Sequence, residues 1–225
     1  GHLGTRPFRI LQADRSRMRR ARSLWVAFFG LVLACGTRQA VGTTHGSSSR
    51  TPAEIMADTK DSVVLIKSER GLGTGFVVWQ DGRIATAFHV LSSMDAPTVV
   101  FADGREFGVD RIEVMAVDAP RDLAVIRVKG VRAKPVKLGD ATTVRAGDPV
   151  VAIGFPLGLG RSISDGLVSG LRPLAENFSV LQISAPIAQG SSGGPILNQA
   201  GEVIGVAAAF AQEGQNINFA IPVAN

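Results

Sequence analysis

The sequence predicts an all-β domain, a sandwich or barrel, with a short helix ahead of it. Three observations predict it. Short apolar runs rich in Val, Ile and Phe recur about every ten residues from residue 62 onward. Turn residues separate them, including Asp-Gly pairs at 81–82 and 103–104. No long amphipathic helical period interrupts the series.

The elements follow in order. TPAE (51–54) opens the helix: Thr51 can cap it, Pro52 suits its first turn, and Glu54 can complete a capping box. The helix is expected to end near Lys60. SVVLIKSE (62–69), GTGFVVWQ (73–80) and RIATAFHV (83–90) then read as strands. The Asp81-Gly82 pair between the last two predicts a type I′ hairpin turn, in which both central residues take positive φ. TVVF, REFGV, RIEVMAV and DLAVIRV continue the series. KPVKLGD (134–140) reads as a connector between two halves. PVVAIGF, DGLVSGL, SVLQISA, GPILN, EVIGVAAAF and INFAIPV supply the second half.

Charge is unevenly placed. The 225 residues carry a net charge of +5. Residues 1–50 hold nine Arg and one acid, and the rest of the chain is net −3. The basic character therefore does not mark the body as nucleic-acid binding. Arg19, Arg20 and Arg22 precede the apolar run LWVAFFGLVLA (24–34). Eleven apolar residues are short for a bilayer span but suit the h-region of a secretory signal peptide. The other reading is a buried helix. On the signal-peptide reading, Met18 is the initiator and the product is exported to the periplasm or cell envelope. VLAC (32–35) resembles a bacterial lipobox, which makes Cys35 a candidate lipidation site and a membrane-surface anchor. An ordinary signal peptide cut a little further on is the alternative. Cys35 is the sole cysteine, so no internal disulfide is available and a cysteine nucleophile in the body is excluded. Residues 36–50 are small and polar and read as a tether.

PIAQGSSGGPILN (186–198) raises the chemical question. Gly and Ser between apolar runs usually make a turn. GSSGG (190–194) also matches the G-x-S-x-G nucleophile elbow of α/β-hydrolases, whose triad runs Ser, acid, His along the chain. All three histidines, His2, His45 and His89, precede the serines, so that reading fails. The order His, Asp, Ser is available through His89 in TAFHV and Asp122 at the head of DLAVIRV. A serine hydroxyl needs an adjacent imidazole to take its proton, and the imidazole needs a carboxylate to fix its tautomer. GLGTG (71–75) leads into a strand and is no dinucleotide fingerprint. GFPLGLG (154–160) lacks the lysine of a phosphate loop and reads as a loop shaping the site. No metal-ligand spacing occurs, and no cofactor is implied.

GTGFVVWQDGRIATAFHV, RDLAVIRV, LGDATTVRAGDPVVAIGFPLGLG, LQISAPIAQGSSGGPILNQAGEVIGV and INFAIPV stand in the order of a known family. Together they resemble the trypsin-like serine proteases of the HtrA/Deg type, over about residues 60–223. The resemblance implies two perpendicular six-stranded β-barrels, about 60–132 and 136–225, within a protease domain at 51–225. It implies His89 as general base, Asp122 as its orienting acid, and Ser192 as nucleophile, with the N–H groups of Gly190 and Ser192 as the oxyanion hole. Ser191 stands where the family usually has Asn or Asp. Pro186 takes the place at the base of the primary specificity pocket where trypsin has an acid, and Ala207, Ala208 and Ala209 are expected to wall that pocket. Cleavage after small or medium apolar residues is the expectation. Protein or peptide substrates, and room for a homo-oligomer, follow from the same resemblance. So does a quality-control role on misfolded or extended segments. An inactive binding module on this fold and a structural envelope lipoprotein are the competing readings. Family members usually continue into a helix and often a PDZ domain beyond the point where this chain ends.

Overall fold

A computed structural model describes residues 49–175, 178–208 and 217–223. The signal-peptide and lipidation readings, including Cys35, lie outside them, as do Ala209 and nearly all of the tether.

Helix α1 (Pro52–Thr59) forms as its capping residues predict. Thr51 Oγ1 accepts from the Glu54 N–H (3.3 Å), and the Glu54 carboxylate accepts from the Thr51 N–H (2.8 Å). The Thr51 N–H and the Thr51 hydroxyl, both bonded to the carboxylate, hold the Glu54 carboxyl below its ordinary range. The helix buries Ile55 against the body.

The first half is one seven-stranded sheet. Its strands are β1 (Val63–Ser68), β2 (Gly71–Trp79), β3 (Arg83–Ala87), β4 (Thr98–Val100), β5 (Glu106–Phe107), β6 (Ile112–Asp118) and β7 (Leu123–Val128), in the order β5-β4-β1-β2-β3-β7-β6. The sheet curls into a half-barrel. Among the described residues no pairing joins its edges β5 and β6. Of the two barrels that the resemblance implies, this half is therefore the curled, open sheet. Its β5 edge is only two residues long, between Gly104 and Gly108, and offers too few ladder bonds to close a barrel.

The second half contains β8 (Lys137–Leu138), β9 (Pro149–Gly154), β10 (Ser162–Ala175), β11 (Phe178–Ile183), β12 (Pro195–Asn198), β13 (Glu202–Ala208) and β14 (Asn218–Pro222). Six of them, β12-β9-β10-β11-β14-β13, close on themselves because β12 pairs with β13, Pro195 opposite Val206. The connector KPVKLGD contributes β8, which runs parallel to β13.

The turn at Asp81-Gly82 differs from the type I′ expectation, while Asp103-Gly104 makes the turn expected of it. Gly82 (φ 83°) and Gly104 (φ 84°) are left-handed, but Asp81 and Asp103 are not. The N–H of Gly82 bonds to Trp79 O, and that of Gly104 to Phe101 O. Each is thus a four-residue turn whose last residue is the left-handed glycine, not a two-residue type I′ turn. A slip in the β2–β3 register between Val77 and Trp79 accompanies the first.

The near-continuous apolar runs are explained by three cores. Val64, Ile66, Val77, Ile84 and Ile126 fill the first half. Val150, Ala152, Val168, Leu181, Ile196 and Ile204 fill the second. Val63, Phe76, Val151, Ile153, Leu197 and Val203 form a third between the halves. Successive side chains on a strand point to opposite faces. So Val150 and Ala152 of β9 enter the barrel while Val151 and Ile153 meet the other half, and PVVAIG has no polar face. The shared core fixes the two halves against each other, and the candidate residues come from both.

Candidate active site

The GTGFVVW strand carries Thr74, and RIATA carries the chain to His89. His89 does not end a strand, as TAFHV suggests, but sits in a five-residue helix, α2 (Phe88–Ser92). The first N–H groups of a helix have no internal partners. Here Asp122 takes two of them. Its backbone O accepts from the Phe88 N–H (3.0 Å) and its Oδ1 from the His89 N–H (2.8 Å). The other carboxylate oxygen, Oδ2, lies 2.7 Å from His89 Nδ1. Asp122 itself is left-handed (φ 55°), and its N–H bonds to Ala119 O. Asp tolerates that region better than most residues. The unusual backbone turns the carboxylate back under α2.

A carboxylate can only accept, so Nδ1 carries the ring proton and Nε2 keeps its lone pair. Asp122 is mostly covered, with 19% of its side chain exposed, whereas the His89 ring is 42% exposed. The neighbouring Arg121 is engaged by Asp118 (2.8 Å). The imidazole is thus oriented from behind and open in front, as a proton acceptor requires.

The GSSGG loop is fixed by backbone bonds. Gln189 O accepts from the Leu157 N–H, and Gly190 O from Thr74 Oγ1. Ser191 O accepts from the Gly194 N–H, and Ser192 O from the Thr74 N–H. The N–H groups of Ser191 and Gly193 go to Ala188 O and Ala207 O. Two donors remain. Among the described residues, neither the Gly190 N–H nor the Ser192 N–H meets an acceptor. Buried backbone donors are rarely left unpaired, and two on one tight loop make a ready pocket for an oxyanion. Because the Gln189–Gly190 peptide is planar and trans, anchoring its carbonyl on Leu157 directs its N–H the opposite way.

Gly193 seats this loop on the other half. A Cβ there would run into Thr74 O and Thr86 Oγ1, and would lie 2.8 Å from the Ala87 nitrogen. Its φ of +82° is also left-handed. Ala87 is two residues before His89, so the serine loop and the histidine helix adjoin. Among the described residues, no hydrogen bond joins Ser192 Oγ to His89 Nε2. Such bonds are often long until substrate is bound. We expect Gly193→Ala to lower the melting temperature and to remove reactivity toward a fluorophosphonate probe. An unchanged melt with full labelling would show that the close approach does not matter.

Pro186 is exposed, and its carbonyl accepts from Ser164 Oγ (2.7 Å). With Gly154, Pro156, Ile163, Ala188 and Ser191 it lines a cavity of about 180 Å³. Ala207 and Ala208 are buried on β13, in the barrel core and the shared core. A wider cleft of about 440 Å³, lined by Arg70, Leu72, Leu157 and Gln189 among others, opens beside the serine loop. Among the described residues, no three His, Cys, Asp or Glu side chains gather as a metal ion would need. Sequence reasoning did not find Thr74, Thr86 or Leu157. A threonine in a β run reads as a strand former, and backbone partners leave no trace in composition.

The family model of the trypsin-like peptidase domain matches residues 73–206. The chain belongs to that family. Relatives of this trypsin-like peptidase domain include a Brucella suis protein named as a DegP-like periplasmic serine endoprotease. The two are 40% identical over 161 residues, which is 67% of this chain and 30% of that one. A Synechocystis protein named as serine protease HhoB is 35% identical over 162 residues, 69% of this chain and 38% of its own. The chain thus spans only 30% and 38% of the length of these two curated relatives. Among solved structures, the HtrA-type protease AlgW with a tripeptide superposes with a TM-score of 0.68. It is 29% identical, and the match covers 77% of this chain and 60% of AlgW. The serine endoprotease from Yersinia pestis gives 0.67 at 28% identity, covering 76% and 62%.

Proposed function

We propose that the chain is an exported serine endopeptidase whose triad is His89, Asp122 and Ser192. The observation that carries the reading is the pair of N–H donors at Gly190 and Ser192, unspent among the described residues, beside a serine hydroxyl. A fold needing only a turn there has no reason to leave both unpaired.

In the proposed reaction Ser192 Oγ attacks the scissile carbonyl carbon and its proton passes to His89 Nε2. Asp122 stabilises the imidazolium and keeps Nδ1 protonated. The oxyanion takes the Gly190 and Ser192 N–H groups. His89 then protonates the leaving amine, the C–N bond breaks, and an acyl-serine remains. Water, deprotonated by His89, attacks the ester, releases the acid and restores the serine. The two N–H donors strengthen as charge develops. Each is worth on the order of 3 kcal/mol of barrier in comparable sites.

The substrate is proposed to be an extended or misfolded protein segment. Support comes from the cleft beside Gln189 and from the peptide named in the AlgW structure. The periplasm is proposed from the DegP-like relatives' names. Pro186 places no carboxylate at the pocket position, so cleavage after Ala, Val or Leu is expected. A peptide library read by mass spectrometry tests this, and strict cleavage after Lys or Arg would overturn it. The proteolytic reading itself is tested on purified protein with a fluorophosphonate probe. An activated serine is labelled; an inactive binding module on the same fold is not.

A further inference from the structure

The geometry points to Thr74 as a positioning residue that holds the oxyanion pocket in shape from the opposite half of the molecule. This rests on the proposed proteolytic reading. Thr74 lies on β2, is fully buried, and belongs to no part of the assigned triad. In a strand a buried threonine is ordinarily a β-branched filler. The partners of this one are not ordinary. Its hydroxyl donates to Gly190 O (2.7 Å) and accepts from the Phe155 N–H (3.2 Å). Its own N–H donates to Ser192 O (2.8 Å). Its carbonyl accepts from Thr86 Oγ1 (2.7 Å), one strand over. One side chain and its peptide thus tie three segments distant in sequence: the serine loop, the loop after β9, and β3.

The consequence lies in which atoms are tied. The free Gly190 N–H belongs to the Gln189–Gly190 peptide, and its direction depends on both planes that meet at the Gly190 Cα. The plane before that atom is anchored by Leu157 N–H on Gln189 O. The plane after it is anchored by the Thr74 hydroxyl on Gly190 O. Gly190, at φ +94°, has no Cβ to restrict rotation between them. Leu157 is two residues beyond Phe155, whose N–H the same hydroxyl receives. Removing that hydroxyl therefore loosens the second plane directly and the first through its loop. The buried Gly190 O and Phe155 N–H would then seek other partners, and the simplest rotation carries the Gly190 donor away from the oxyanion. Ground-state peptide binding uses other contacts and should persist.

Thr74→Val keeps the shape and deletes the hydroxyl; Thr74→Ser keeps the hydroxyl and deletes the methyl. Initial rates on a fluorogenic peptide separate kcat from KM, and a peptide aldehyde, which forms a tetrahedral adduct, reports the pocket. Thr74→Val is expected to lower kcat about 10- to 100-fold, to leave KM within about threefold, and to weaken the aldehyde in parallel with kcat. Thr74→Ser should recover most of both. Near-UV circular dichroism checks folding. If Thr74→Val melts below assay temperature, Thr74→Cys replaces it, since a thiol is a weak donor of similar size, and a smaller fall in kcat is expected. A folded Thr74→Val or Thr74→Cys with wild-type kcat overturns the inference, as does an equal loss in Thr74→Ser or a change confined to KM. An active wild type with such variants removes this inference alone. A wild type that neither cleaves peptide nor reacts with fluorophosphonate removes the proteolytic reading and this inference with it.

Discussion

Ser192→Ala is expected to abolish peptide hydrolysis and fluorophosphonate labelling, while Ser191→Ala retains both. The two hydroxyls are neighbours, yet their settings differ. Ser192 N–H is one of the two donors left unpaired among the described residues, and its carbonyl is pinned by the Thr74 N–H. Ser191 packs at the back of the loop, where a Cβ on Gly154 would lie 2.7 Å from its side chain. The backbone bonds of Ser191, its N–H to Ala188 O and its O from the Gly194 N–H, survive replacement by alanine. Loss of a triad nucleophile in another protease costs about 10⁶ in kcat; a change of less than about tenfold is expected for Ser191→Ala. Steady-state rates on purified, folded variants decide the matter. A silent Ser191→Ala beside an active Ser192→Ala would reverse the assignment.

The second large effect is expected at Asp122→Asn. The carboxylate makes one bond that positions the backbone of α2 and one that fixes the ring. An amide can still accept from the His89 N–H through its oxygen. Its NH2 group would then face Nδ1, where it can only donate. That interaction moves the ring proton to Nε2 and removes the base. In a Ser-His-Asp protease this exchange lowers kcat by about 10⁴, and a similar loss is expected here with little change in melting. Activity within tenfold of wild type would show that Asp122 serves the turn and not the imidazole.

The strands were legible because β-branched residues and turn residues alternate so regularly in this chain. Helix α1 was legible for a different reason: its capping side chains are local. What escaped was set by tertiary context. Five residues, FHVLS, are too few to show a helical period, so the turn that carries His89 looked like a strand end. The left-handed backbone of Asp122 has no mark in DLAVIRV. The Asp-Gly pairs announced turns, but at Asp81-Gly82 glycine alone supplied the positive φ, so that turn's type was misread. β8 is two residues long, below any pattern. The serine loop was visible as a motif, whereas the hydroxyl that braces it was hidden inside GTGF, where every residue also suits a strand.

The core shared by the halves has a consequence for biogenesis. Under the proposed mechanism the proton acceptor and the nucleophile come from opposite sides of Phe76, Val151 and Leu197. A chain emerging during synthesis, with its first sheet formed and its barrel incomplete, carries a histidine with nothing to activate. Hydrolytic competence then arrives only when the two halves dock, which shields an immature chain, and its neighbours, from self-digestion.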